Sequence, residues 1–540
     1  MPAPLPGCVL IVPPHDLSQN DAYVRFQPGT GRTWHGVREN RADVYFKEAI
    51  ESSPPGPGPF ALEVLAVEGD GVRLFRIHER SGRSWLGDGG IRQVVDFDLG
   101  HDDEEEEPPP PPDLAAHWQE VAELSSVETR TQALPASEAA PYFLRTAAKR
   151  DRAFLLRARR DTGQTWTTTG SGWTPVRETA DPGPGRYDVV WAVGDKHPTT
   201  LLRFDAFSGR LWSAQPGRPW ELVPEESGPA APQAPPTPET ARSPRYGWMV
   251  EGAHGPLAVT RFDASTGRMW IVKDTWMPFT EESEPPAADY AFGLIPGTDA
   301  LPPLPFRWAR QSGRLWLTPD GKRLTQLDAG KDLPGSRERF QIVAAARGRD
   351  VHVARLDRLA GAVAAFDGES ALRELKDAVP VASGDYDLAL AVSGSGRSFL
   401  MRLDRRSGRW WFAADGEWVP VRGLPEPASG SEAPRFSQRV LGAGEFMVAA
   451  RFDERTGNVC QLEPDGDDPG RWLARTVPER RPPPPGAYVF GYALLGGEGH
   501  GTLASLSRME KESGRVWVVS PNESDGGRTW TEVRGTESGK

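Results

Sequence analysis

The chain has 540 residues and carries 63 Lys and Arg against 75 Asp and Glu, a net charge of −12 that argues against a general nucleic-acid or membrane-surface binder. Its two cysteines, Cys8 and Cys460, exclude a disulfide framework. Nothing reads as a signal peptide or spanning helix, so a cytoplasmic location is expected.

In chain order, Leu5-Pro-Gly-Cys8 has the outline of a lipoprotein cleavage box, but no basic start or apolar stretch precedes it, and it is read as ordinary sequence. The first patterned element is Arg25 to Trp34, which introduces a ten-residue motif: Arg-hydrophobic-Asp-x-x-(Ser/Thr)-Gly-Arg-x-Trp. With some decay it recurs ten times, its glycines being Gly31, Gly82, Gly163, Gly209, Gly267, Gly313, Gly361, Gly408, Gly457 and Gly514. Six of the nine steps between them are 46 to 51 residues, and a motif at a fixed long period defines an architecture before any residue is called functional. The repeat units are placed at 1–50, 58–100, 139–180, 185–226, 244–282, 288–330, 338–378, 384–424, 434–478 and 486–536.

An insertion at 101–138 separates the second and third units. It opens with the acidic run 101–107, continues with prolines 108–112, and then predicts a helix over Asp113 to Leu134, with Leu114, Trp118, Val121 and Leu124 on one face at helical spacing. The reading is a linker and a helix packed on the repeats, or a docking helix for a partner. Other proline-rich stretches, Pro54 to Pro59, Pro224 to Pro244 and Arg480 to Pro485, are read as linkers.

The fourth unit shows what one copy builds. RYDVVWAV, TTLLRFD, RLWSA and WELV are short β-branched and aromatic runs separated by turn signals, hence four strands. The central Asp-x-x-Ser-Gly-Arg suits a hairpin loop on a type I turn, with Asp205 accepting turn amides and Gly209 in the left-handed conformation. That turn pairs Arg203 with Trp212 and Phe204 with Leu211. One face then carries Arg203, Asp205, Arg210 and Trp212, an Arg–Asp pair and an Arg stacked on Trp, and the other is apolar. The same set stands in the fifth copy as Arg261, Asp263, Gly267, Arg268 and Trp270, and in the eighth as Arg402, Asp404, Gly408, Arg409 and Trp411. Such a unit needs cover on both faces, as a stack of sheets provides. Two copies lack the tryptophan: the seventh has Ala364, and Ala362 in place of the second arginine, and the ninth has Cys460.

Four antiparallel strands in about 46 residues is the size of a β-propeller blade. Asp161-Thr-Gly-Gln-Thr-Trp166 resembles the Asp-box of sialidase-like and sortilin-like propellers, with Arg159 where serine is expected, and Ser524 to Trp530 is a second near-match. The resemblance implies architecture: an all-β β-propeller of about ten four-stranded antiparallel blades, in one ten-bladed ring or two five-bladed rings, with one short helical insertion. It does not settle function.

The sequence holds no phosphate loop, dinucleotide fingerprint or nucleophile elbow. The histidines are scattered, and Asp465, Asp467 and Asp468 make an incomplete calcium pattern read as an acidic turn. No catalytic, cofactor-binding or metal-binding residue is assigned. Phe75-Arg-Ile-His78 comes within one residue of the Phe-Arg-Ile-Pro signature of sialidases, but Arg76 is also the repeat arginine. Nineteen tryptophans raise a glycan-binding alternative, eight of them in the motif and six more (Trp173, Trp220, Trp276, Trp418, Trp472, Trp530) in or near the fourth strands. The expected function is a non-enzymatic scaffold with a protein partner. A lectin-like propeller and, more weakly, a sialidase-like hydrolase are the alternatives.

Overall fold

The computed structural model describes residues 9 to 535 apart from 12–23, 39–43, 52–57, 68–70, 89–116, 124–141, 226–244, 252–256, 328–338, 425–432, 465–471, 522–527 and shorter stretches. Leu5 to Cys8, the acidic run, Leu114, Val121, Leu124, Asp465, Asp467, Asp468 and Gly514 lie outside the described residues.

The fold is all-β and of β-propeller type: among the described residues each motif copy contributes four consecutive strands that pair in order into an antiparallel sheet. In the fourth copy these are Tyr187–Gly194, His197–Asp205, Leu211–Ala214 and Glu221–Leu222. Arg203 pairs with Trp212 and Phe204 with Leu211. Bulky β-branched and aromatic residues favour this pleated, half-buried setting, and the tight turn fixes the register.

The expected helix is not present where the chain is described. His117–Glu120 is a strand, the fourth of the second sheet, paired antiparallel with Ser84–Asp88 so that Trp118 lies opposite Gly87. Ala122–Glu123 then pairs in parallel with the fourth strand of the third sheet. The helical periodicity of this stretch loses to the unpaired edge of Ser84–Asp88, whose backbone groups need a partner. The acidic and proline-rich residues therefore interrupt the second sheet between its third and fourth strands.

Where it is described, the chain leaving a fourth strand runs in parallel beside the fourth strand of the next sheet in most copies. Ile50–Glu51 pairs with His117–Glu120, Thr280–Glu281 with Arg323–Leu327, and Lys376–Asp377 with Glu417–Pro420. Single bridges Glu178–Trp220 and Glu225–Trp276 mark the same place in the fourth and fifth copies. At the end of the chain, Arg528–Gly535 pairs in parallel with Val44–Glu48 of the first copy.

Contacts divide the chain into two compact units. One comprises copies one to three and ten, except for the turn Arg160–Gly163. The other comprises that turn and copies four to nine, Val176–Tyr488. Within each, the core lies between successive sheets. Ala192, Leu202, Phe204 and Leu211 of copy four meet Tyr246, Val259 and Trp276 of copy five. Met401, Leu403, Trp410 and Phe412 of copy eight meet Phe436, Val440, Ala449 and Cys460 of copy nine. The apolar face of each motif hairpin thus covers the next sheet.

The pairing of the last strand with the first copy predicts a local effect. Deleting residues 528–540 removes the parallel partner of Val44–Glu48 and the buried Trp530 that stacks on Arg508. Hydrogen exchange of Val24–Phe26 and Thr33–Arg38 should accelerate, with little change in the Tyr386–Pro420 sheet. Equal protection in the truncated and full chains would show that this pairing does not stabilise the first copy.

Candidate functional site

The repeated arginine is not at a surface. Arg76, Arg203, Arg261, Arg307, Arg402 and Arg508 are all less than 2 % exposed. A buried guanidinium is costly unless its donors and charge are met, and at Arg203, Arg261 and Arg402 four kinds of partner surround it.

Nη1 donates to the carbonyl of the preceding copy's motif glycine: Arg76 to Gly31 (2.6 Å), Arg203 to Gly163 (3.2 Å), Arg261 to Gly209 (3.0 Å), Arg307 to Gly267 (2.6 Å) and Arg402 to Gly361 (2.7 Å). Both terminal nitrogens then grip a carboxylate on the connector from that preceding copy: Glu51 for Arg76, Glu178 for Arg203, Glu225 for Arg261, Glu281 for Arg307 and Asp377 for Arg402. This is the planar two-point recognition that lysine cannot reproduce. The motif tryptophan stacks on the guanidinium from its own sheet, at 4.8 Å for Trp212, 4.5 Å for Trp270 and 4.7 Å for Trp411. The fourth-strand tryptophan supplies a second ring, at 4.6 Å for Trp220, Trp276 and Trp418. Burial pulls the Arg76 guanidinium below its ordinary pKa, while the Glu51 hydrogen bond and charge pull it back.

The arginine is therefore a joint between copies, and the motif tryptophan is half of its cage. The expected Arg–Trp stack forms, but the expected Arg–Asp pair does not. The motif aspartate serves its own turn. Asp205 accepts from the amides of Phe207 and Ser208 (both 3.1 Å) and from the Ser208 hydroxyl (2.5 Å), and Asp404 from the Arg406 amide and the Ser407 hydroxyl. Asp263 does the same with Ser265 and also holds Arg245, which begins its sheet. The second motif arginines, Arg210, Arg268 and Arg409, are exposed.

The motif glycine meets two demands. Gly209, Gly267 and Gly408 have φ of 74°, 75° and 74°, a region costly for any residue with a Cβ. Each also faces the aromatic residue that starts the next sheet, Tyr246, Tyr290 or Phe436. That tyrosine's hydroxyl donates back into the linker, Tyr187 to Pro182 and Gly183, Tyr386 to Ala382. Burial foremost, and then the Asp404 charge, push the Tyr386 phenol up to about 12.

The two degenerate copies keep part of the joint. Arg355 reaches Gly313 (3.2 Å) and stacks on Phe340, opposite Ala364. Arg451 reaches Gly408 (2.5 Å), stacks on Phe436 and donates to Cys460 Sγ (3.4 Å), which replaces the tryptophan.

Sequence reasoning missed the connector acids. They lie 25 residues before the arginine in three copies and 26 in another, a usable signal, but 36 in the fifth copy because the proline-rich linker intervenes.

The turn aspartates carry an acid sensitivity. Burial works to raise the Asp263 and Asp453 carboxyls, but hydrogen bonds from Arg245 and Arg435 and from the turn hold both below the usual range. A folded pKa below the unfolded value of roughly 3.9 contributes stability that is present above that pH and is lost as pH falls through the folded value. Arg435→Gln should therefore move the acid-unfolding midpoint, followed by far-ultraviolet dichroism, to higher pH. An unmoved midpoint would rule out this pair as a contributor.

Compared with known proteins, the chain matches no family model and no curated relative. Among solved structures it is similar to virginiamycin B lyase from Staphylococcus aureus, at 9 % identity over 57 % of this chain and 95 % of that one with a TM-score of 0.29. It is also similar to YCF48 from Cyanidioschyzon merolae, at 16 % identity over 69 % and 96 % with a TM-score of 0.31. A third is an Agrocybe aegerita lectin that recognises non-reducing terminal N-acetylglucosamine, at 11 % identity over 70 % and 89 % with a TM-score of 0.32. Likeness at these scores bears on neither the site nor the function, which rest on the chain's own geometry.

Proposed function

We propose that the chain is a non-enzymatic β-propeller scaffold for protein–protein interaction, with its binding surface outside the repeated joint. The supporting observation is that the residues with the most chemical potential, the motif arginines and tryptophans, are buried or half-buried against one another between copies. A sugar-stacking site needs an exposed indole face, whereas Trp173, Trp220, Trp276 and Trp418 are 2 % exposed or less. A sialidase-like centre needs arginines open to substrate, whereas Arg76 is enclosed by Gly31, Glu51 and Trp85.

The test pairs binding with turnover. A scaffold leaves tryptophan emission unchanged across a glycan array, does not cleave an aryl glycoside, and recovers a defined partner by affinity capture. Saturable quenching by a glycan would replace this reading with the lectin one, and glycoside turnover with the hydrolase one. The variant for mapping the partner is deletion of 101–112, because a longer deletion through Leu134 would remove the strand His117–Glu120.

A further inference from the structure

In the unit formed by copies four to nine, the motif turns make a continuous edge. Five successive-copy junctions are made by a strand-start N–H that donates to the turn of the copy before: Tyr246 to Ala206, Tyr290 to Ala264, Tyr386 to Arg358, Phe436 to Arg405 and Tyr488 to Glu454. Turns and strand starts alternate along that edge, and over copies seven to nine it is basic in a chain of net charge −12. Its arginines fall into three groups, the first being Arg339 and Arg435, which begin sheets seven and nine and hold the turn aspartates Asp357 and Asp453. Arg358 and Arg405 share Asp385, at 3.1 and 3.4 Å, which ties the turns of copies seven and eight together. Arg406, Arg409 and Arg455 are exposed and make no ion pair among the described residues.

The turn of copy seven breaks this pattern in one direction. Ala360 and Ala362 replace the Ser/Thr and Arg of the motif, and Leu359 is 48 % exposed, one of two large hydrophobic side chains so exposed among the described residues. Its carbonyl accepts from Gly384 (2.9 Å), next to the shared Asp385. An exposed apolar side chain thus shares one edge with the exposed Arg406 and Arg409, joined to their turn through Gly384, Asp385 and Arg405, whose amide donates to the Asp385 carbonyl (2.8 Å).

We propose that this edge of copies seven and eight docks an acidic peptide segment of a partner protein, with carboxylates against Arg406 and Arg409 and an apolar side chain against Leu359. The proposal rests on the scaffold reading and gives its partner a chemistry. Exposed arginines lose little hydration on meeting carboxylates and steer an anionic partner to the edge. Leucine adds a contact that a uniformly charged polyanion does not use, and the negative charge of the rest of the chain disfavours a long one.

The test is fluorescence anisotropy with a labelled peptide of about twelve residues, glutamates flanking a central leucine pair, beside a single-stranded DNA of matched charge. The peptide is expected to bind, and to bind about tenfold more weakly to Arg406→Glu/Arg409→Glu and at high salt. Leu359→Ser should weaken peptide binding and leave DNA binding unchanged, with thermal unfolding unchanged in every variant. The assignment is overturned if the peptide does not bind, if either variant binds it as the parent does, or if DNA binds as tightly with the same dependence on Arg406 and Arg409. Capture of the same partner by parent and Arg406→Glu/Arg409→Glu chains would retain the scaffold and remove this edge from it. Capture by neither would remove the scaffold reading itself.

Discussion

Arg402→Leu should destabilise the junction of copies seven and eight by about 3–5 kcal/mol, the usual cost of breaking a buried ion pair on one side. The substitution leaves Asp377 without its two-point partner, Gly361 without a donor, and Trp411 and Trp418 without the cation they enclose. Arg402→Lys keeps the charge but not the fork, and should fall between the parent and Arg402→Leu. The double variant Arg402→Leu/Asp377→Leu should cost less than the sum of the two single changes, because it leaves no orphaned charge. A repeat chain need not unfold in one step, so the measurement is hydrogen exchange of the Tyr386–Val392 and Ser398–Asp404 strands beside a denaturant titration. If Arg402→Leu costs under about 1 kcal/mol, the cage is not what holds the copies together.

The second large effect concerns two glycines with nearly the same backbone angle. Gly163 has φ 69° and Gly217 has φ 77°. A methyl group at Gly217 meets nothing within 4 Å, whereas at Gly163 it would sit 2.9 Å from the Tyr187 ring and 3.1 Å from Arg203 Cδ. Gly217→Ala should therefore cost only the left-handed strain, about 1–2 kcal/mol. Gly163→Ala adds displacement of two buried side chains and should total about 3–5 kcal/mol. Equal losses would mean that the turn alone demands the glycine and the close approach is incidental.

The difference between these glycines also marks what was legible in the sequence. The repeat, the four strands and the turn follow from residue types, because a left-handed position selects glycine and a hairpin turn fixes its register. Arg203 opposite Trp212 is a consequence of that turn alone. The carboxylate was not legible. Glu178 and Glu225 sit on connectors whose length varies, and nothing local says that an acid on one copy reaches into the next. The motif aspartate, closer in sequence, was the natural partner to assign, but turn amides already occupy it. His117–Glu120 failed for the related reason that pairing with Ser84–Asp88 is a long-range demand. Helical periodicity within a segment carries no information about a neighbouring strand that lacks a partner.

The joint also has a direction. At the complete joints, each copy offers a glycine carbonyl and a connector acid to its successor, whose arginine takes both. A unit with a matching plug and socket can be duplicated in tandem, because the new copy fits both neighbours without any compensating change elsewhere. The same arrangement limits the damage of a worn copy. Ala364 and Cys460 replace a ring within one socket, while Arg355 and Arg451 still hold the carbonyl of the copy before. Adding a whole unit and changing a residue within one unit thus make separate demands on this joint: the first needs both matching ends, and the second is absorbed inside one socket.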